Sequence, residues 1–189
     1  MPITINGSGT FTGISVGGLP DGIVDTDMVA DDAITEPKTS LITNRPAFSA
    51  YTSASFDMAS GAWVKQEFQT EFFDTDSAYN TSTSTFTVPS GMGGAYQVNA
   101  GVSVDDINDG TYLAIAIYKN GSGYPNMTPA GYSYSSAADK IVSTKYANVL
   151  EFAAADEVTV YAIHNSTGTQ ACEANLNYFS MFRLGGVTT

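Results

Sequence analysis

Side chains able to make and break bonds are few in this chain and stand far apart: one histidine, His164, one cysteine, Cys172, and scattered carboxylates. A single histidine excludes a multi-histidine zinc site built within one chain, and any serine, histidine and aspartate relay has to run through His164. His164 falls between the alternating run Val158, Val160, Ala162 and the turn signal Asn165-Ser166, which assigns it a hydrogen-bonded structural role. Cys172 has no partner for an intrachain disulfide, and a lone cysteine on a strand packs as a small apolar residue. No glycine-rich phosphate loop with a following lysine occurs. Glu67 and Glu71, with Asp74 and Asp76, have the residue types of a glycosidase pair, but along one strand such residues form a solvated face. The expectation is a protein without catalytic residues and without an obligatory cofactor.

Two stretches are better suited to binding. DDINDG, residues 105–110, offers the carboxylate and amide oxygens that calcium takes, which makes Asp105, Asp106 and Asp109 the metal candidates. The EF-hand spacing fails, because the twelfth position counted from Asp105 is Ala116, and a plain hairpin turn is the favoured reading. SGYPNMTPAGYSYSSAADK, residues 122–140, loses all periodicity and gains Gly, Pro and Ser, so it reads as a long surface loop. Its three tyrosines, Tyr124, Tyr132 and Tyr134, are the receptor-binding candidates, since aromatic rings in polar surroundings hold sugars and proteins by stacking and hydroxyl hydrogen bonds.

The elements that must position these residues are strands. Eleven Tyr, ten Phe and eighteen Gly in 189 residues favour many short strands over long helices. RPAFSAYTSA, AWVKQEFQTEFF with Val64, Phe68 and Phe72, and TSTFTVP each alternate apolar with polar. GGAYQVNAGVSV and TYLAIAIYKNG follow, the second ending at Asn120-Gly121, a dipeptide suited to a tight hairpin. NVLEF, EVTVYAI and ANLNYFSMFRL complete eight to ten strands, and the last places Phe179 and Met181 on one parity, Tyr178 and Phe182 on the other. A net charge of -12 repels phosphate backbones and anionic membrane surfaces, so nucleic acid is not an expected partner, and no apolar run is long enough to insert in a membrane.

Taken together, residues 45–184 resemble the globular head of the complement C-one-q family, a jelly roll shared with tumour necrosis factor. The resemblance rests on RPAFSAY, STFTVPSGMGGAYQVNAGVSV, TYLAIAIYKNG, LEFAAADEVTVYAIHNS and FSMFRL, in that order and spacing. Two departures stand out: a longer turn at Ser90 to Gly94, and Ala155 where the family has glycine before Asp156. The resemblance implies an all-β antiparallel jelly-roll sandwich that assembles as a homotrimer at the end of a stalk. Tyr161, Phe179 and Phe182 are the candidates for a core shared between protomers. Some relatives hold calcium near the trimer axis, which is the further reason for keeping the three aspartates.

Ahead of the head, residues 1–44 carry a tandem phrase, DGIVDTDMVA and DDAITEPKTS, after ITINGSGTFTGISVGGLP. These resemble glycine-rich N-terminal segments and decads of bacteriophage fibre and appendage proteins. Isolated apolar residues cannot offset an ordering cost of about 1 to 2 kcal/mol per residue, so Ile23, Val24, Ala33 and Ile34 are expected to be covered by sister chains or by a virion protein. The sequence reading is therefore a trimeric virion structural protein of a bacteriophage, residues 1–44 a stalk or anchor against a capsid or tail protein, residues 45–189 a head facing a host-surface glycan or protein. The alternatives are a capsid-decorating or head-fibre protein with a structural role, and a secreted lectin-like module.

Overall fold

In the computed structural model of the chain, residues 4–5, 11–12, 45–126, 129–136 and 140–186 are described. The chain divides into two units, Met1–Asn44 and Arg45–Thr189. In the first, β1 (Thr4–Ile5) and β2 (Phe11–Thr12) pair antiparallel; the decads with Ile23, Val24, Ala33 and Ile34 lie outside the described residues. The second unit begins with β3 (Ala47–Tyr51), β4 (Phe56–Ala59), β5 (Val64–Lys65), β6 (Thr70–Asp74), β7 (Tyr79–Asn80) and β8 (Thr85–Thr87). Next come β9 (Gly94–Ile107), β10 (Tyr112–Lys119), β11 (Ser122–Gly123), β12 (Gly131–Tyr134) and β13 (Lys140–Phe152). It closes with β14 (Glu157–His164), β15 (Thr169–Cys172) and β16 (Tyr178–Gly185). Every regular element among the described residues is a strand, and every pairing is antiparallel. There are more segments than the eight to ten expected because two-residue pairings such as β5, β7 and β11 are too short to show a period.

Two sheets face each other. One runs β4-β15-β9-β16-β3-β6 with β13 also on β9; the other runs β11-β10-β14-β8-β7 with β12 on β10 and β5 on β14. Alternation decides which residues lie between them: Tyr96, Val98, Ala100, Val102 and Val104 of β9 point in, as do Leu113, Ile115 and Ile117 of β10 and Val158, Val160 and Ala162 of β14. Rings fill the core around Phe48. Phe48 stacks on Tyr79 and Phe86 at 4.5 and 4.9 Å and meets Phe179 edge-on at 4.9 Å. The series continues from Phe86 to Tyr96 and from Tyr96 to Phe152, each at 6.0 Å. Each buried ring contributes about 1.5 to 3 kcal/mol by leaving water, and the edge-on pairs add about 0.5 to 1.5 kcal/mol.

The turns differ in kind. Asn120 and Gly121 both take positive φ, 51° and 77°, and close the two-residue hairpin from β10 to β11. Asn108 to Gly110, expected to be a hairpin too, is an arch that carries the chain from one sheet to the other, because β9 and β10 belong to different sheets. Residues 122–140 are not one loop: β12 adds to the edge of β10 in the register Tyr112↔Tyr134 to Ile115↔Gly131. Gly131 permits this, since a Cβ there would lie 2.9 Å from the Lys145 carbonyl oxygen. Phe72, expected to be half-buried, is 70% exposed, because the β3 and β6 register shifts between Ser49 and Ala50 and turns it outward.

At the β13 to β14 turn, Ala155 holds a φ of 68° where the resembling family has glycine. Next to it, Asp156 accepts hydrogen bonds from the Ala153 amide and Asn120 Nδ2, both at 2.7 Å, and pairs with Lys119 Nζ at 2.7 Å. Asn120 Oδ1 in turn accepts from the Glu157 amide at 2.8 Å, so one carboxylate fastens two neighbouring turns. Burial pushes the Asp156 carboxyl up, but the bonds from Lys119, Asn120 and Ala153 outweigh it and hold it below its ordinary 3.8. A depressed folded pKa means stability that is full above the ordinary value and is lost as pH falls through the folded one. Asp156→Asn turns a donor toward donors and should cost about 1 to 3 kcal/mol at pH 7, with the gap to wild type closing below pH 3.8; denaturant titrations at both pH values measure it. Ala155→Gly should do the reverse, because relief of about 1 to 2 kcal/mol of left-handed strain exceeds the entropy glycine adds to the unfolded chain, about 0.4 to 1 kcal/mol. Its thermal midpoint should rise by a few degrees in calorimetry.

Candidate functional site

Tyr132 and Tyr134 stand two residues apart on β12 and so project from the same face, 53% and 71% exposed. Their rings lie nearly parallel, 13° apart with centroids at 6.4 Å. Tyr112, at the start of β10, sets its ring across both, at 5.5 Å and 69° from Tyr132 and 6.3 Å and 64° from Tyr134. The third expected member is elsewhere. Tyr124 packs inward, edge-on to Phe152 at 5.7 Å, and its hydroxyl bonds to the Glu151 carbonyl at 3.2 Å, so it ends the core rather than joining an exposed cluster. Tyr112 was missed by reading residues 122–140 alone, though its signal is in the sequence: in TYLAIAIY, Tyr112 and Tyr118 have the parity opposite to Leu113, Ile115 and Ile117. Tyr118 and Tyr161 stack at 3.9 Å farther along the same sheet face, with Trp63 at 6.4 Å from Tyr118.

The outward face of the other sheet is apolar in a different way. Phe182 on β16, Gln97 on β9 and Val149 on β13 form one cross-strand row, and Phe182 and Val149 remain 43% and 47% exposed. Leu184, Phe72 and Phe73 are exposed with them, and Tyr51 stacks on Phe72 at 4.7 Å. The three residues proposed for a shared core are thereby separated. Phe182 lies on this face, Tyr161 on the outward face of the opposite sheet, and Phe179 is fully buried among Phe48, Phe68 and Tyr79. Phe179 belongs to the core of its own protomer because its parity on β16 is that of Met181.

Among the described residues of one protomer no group of three or more His, Cys, Asp or Glu is arranged to hold a metal ion, Asp105, Asp106 and Asp109 included. Asp105 Oδ1 accepts from the Asp106 amide, and Asp106 takes a φ of 58°. The side chain that organises this arch is Asn108, whose Oδ1 accepts from Ser166 Oγ, the Thr167 amide and Thr167 Oγ1. His164 is buried with Nε2 donating to the Met58 carbonyl at 3.0 Å, and its Nδ1 has no hydrogen-bond partner among the described residues. Cys172 lies 3.1 Å from Gln66 Oε1 and 3.2 Å from Met58 Sδ, and burial pushes its thiol up. Asp74 caps a turn by accepting from the Asp76 and Tyr79 amides, so that acidic stretch is structural as well as solvated.

No protein-family model matches the chain, and no curated protein matches it in sequence. Solved structures do. The globular domain of zebrafish complement 1qA protein superposes with a TM-score of 0.51 at 16% identity, over 75% of this chain and 99% of that one. Eiger TNF from S. frugiperda gives 0.54 at 14% identity over 77% and 94%, and murine APRIL 0.52 at 9% identity over 75% and 100%. The head is a jelly roll of the complement C-one-q and tumour necrosis factor type. In this jelly roll the exposed tyrosine cluster sits on the sheet of β10 and the Phe182 row on the sheet of β9, on opposite outward faces.

The buried thiol gives a direct check. In the folded jelly roll Cys172 should resist a water-soluble aromatic disulfide reagent for hours, then react with one equivalent at once in denaturant, because thiolate formation and access are both suppressed by burial. Rapid labelling of the native protein would show that β4 and β15 open.

Proposed function

We propose that this chain is a trimeric bacteriophage virion structural protein, a fibre or appendage, in which residues 1–44 hold the particle and the jelly-roll head faces a host surface. The observation that carries the assembly is the row of Phe182 and Val149 on a sheet face where both stay exposed among the described residues. Such residues contribute about 1.5 to 3 kcal/mol each once fully covered, and a self-complementary copy is the economical cover for apolar side chains left exposed on one face. The complement C-one-q resemblance supports threefold closure. The N-terminal decads, acidic and poor in apolar residues, support attachment to another surface over independent folding. A binding role is further supported by the surroundings of His164 and Cys172, both committed to packing within the sandwich.

Light scattering at micromolar concentration should return three times the 19.9 kDa chain mass. Val149→Asp with Phe182→Asp should return one, with circular dichroism unchanged, since both side chains lie outside the protomer core. A head beginning at Arg45 should stay trimeric but fail to bind particles that lack the native protein, whereas the full chain should bind them. A monomeric wild type, or a truncated head that still decorates particles, would refute this reading.

A further inference from the structure

We propose that a hollow beside Tyr178 receives Ile141 of a second copy of this chain, so that each head joins the next through two unlike surfaces. This deepens the trimer reading and rests on it. A twofold dimer can be built from one patch meeting itself, but a closed ring of three cannot. Away from its axis, each copy has to present two different surfaces that fit each other. Beyond Phe182, Val149 and Leu184, the exposed apolar side chains of the β9 sheet stand in two places. Phe72 and Phe73 of β6, with Leu176 just before β16, form one group. Ile141, 50% exposed, is on β13, which lies on the other side of β9 from β16.

The receiving surface is a hollow of about 410 Å³ lined by Tyr51, Phe72, Asn175, Leu176, Asn177 and Tyr178. Tyr178 lies flat over β9 because Gly101 beneath it has no side chain; a Cβ there would sit 2.4 Å from the ring. Tyr51 stacks on Phe72 at 4.7 Å and walls the hollow. The Asn177 amide is already paired, its Oδ1 accepting from the Ser103 amide and its Nδ2 donating to the Glu173 carbonyl. Three rings and a leucine make up most of the remaining lining, and they gain by shedding water against an aliphatic side chain.

Level and charge agree with this partner. Ser103 of β9 bonds through its hydroxyl to Ser143 of β13 and to the Leu176 carbonyl, so Ile141 and Leu176 stand within one rung of each other on opposite sides of β9. Rotation about an axis running along β9 involves no rise, and it carries the β13 edge of one head to the hollow of the next at that level. Lys140 adjoins Ile141, and Glu173 adjoins the hollow; among the described residues neither belongs to an ion pair within the protomer.

The test is cross-linking of the full chain by a short bismaleimide, against which the buried Cys172 is a silent background. Ile141→Cys with Leu176→Cys on the same chain should give a covalent trimer on a denaturing gel. Each substitution alone should give none, because unlike positions meet. Ile141→Asp should raise the concentration at which half the trimer dissociates by about tenfold or more, with circular dichroism unchanged, and Ile141→Val should leave it near wild type. Lys140→Glu and Glu173→Lys should each weaken the trimer about threefold, as exposed pairs do, and the two together should restore it. The proposal is overturned if either single cysteine variant cross-links to its own copy, if the double variant yields no covalent trimer, or if Ile141→Asp associates as wild type does. Light scattering on the same samples separates the two readings. A monomeric wild type sinks the trimer and this contact together, whereas a trimer without the cross-link sinks the contact alone.

Discussion

The head depends on a continuous file of aromatic rings between its two sheets. It starts at Phe68, passes through Phe179 to Phe48, crosses to Phe86 on the opposite sheet, returns through Tyr96 to Phe152 and ends at Tyr124. These residues come from strands and connections spread over the whole head, so ring contacts join segments that backbone ladders alone would leave in separate sheets. The file also explains where the tyrosines of residues 122–134 go. Tyr124 packs edge-on against Phe152, whereas Tyr132 and Tyr134 lie on the outward parity of an edge strand.

Much of this was legible in the residues. Alternation in AYQVNAGVSV and TYLAIAIYKNG gave inward faces that the structure keeps, and Asn120-Gly121 named its hairpin correctly. The parity of FSMFRL is also kept, and it sets Phe179 with Met181 on the buried side rather than at an interface. Tertiary partners account for the remaining differences. β12 is four residues of Gly, Tyr and Ser with no apolar period, and only the free edge of β10 makes it a strand. Phe72 was misplaced by a register shift, which no local pattern reveals because it arises from the pairing of β6 with β3. The acidic arch was legible as a composition but not as a geometry, since Asn108 takes the central place between the two turns.

The two outward faces divide the surface by chemistry. On the sheet of β9, Phe182, Val149 and Leu184, which have no polar handle and gain only by exclusion of water, stand exposed on a face that also carries Gln97, Asn99 and Lys145. On the sheet of β10 the exposed side chains include tyrosines beside serines, which can lose water and replace its hydrogen bonds in the same contact. A face of the first kind suits a permanent contact and one of the second kind a reversible contact. The sandwich keeps them apart because each is displayed by a different sheet.

β16 lies between β9 and β3, so the first strand of the head, Ala47–Tyr51, pairs on one side with nearby β6 but is joined to β9 only through residues 178–182. During synthesis, β3 can pair with β6 early, but well over a hundred residues separate it from the strand that links this pair to β9, so the sheet that carries Phe182 and Val149 is completed only with β16. The apolar row cannot be displayed as a finished surface by an incomplete chain. A chain truncated before Tyr178 lacks both the strand that joins β9 to β3 and the Phe182 half of the row.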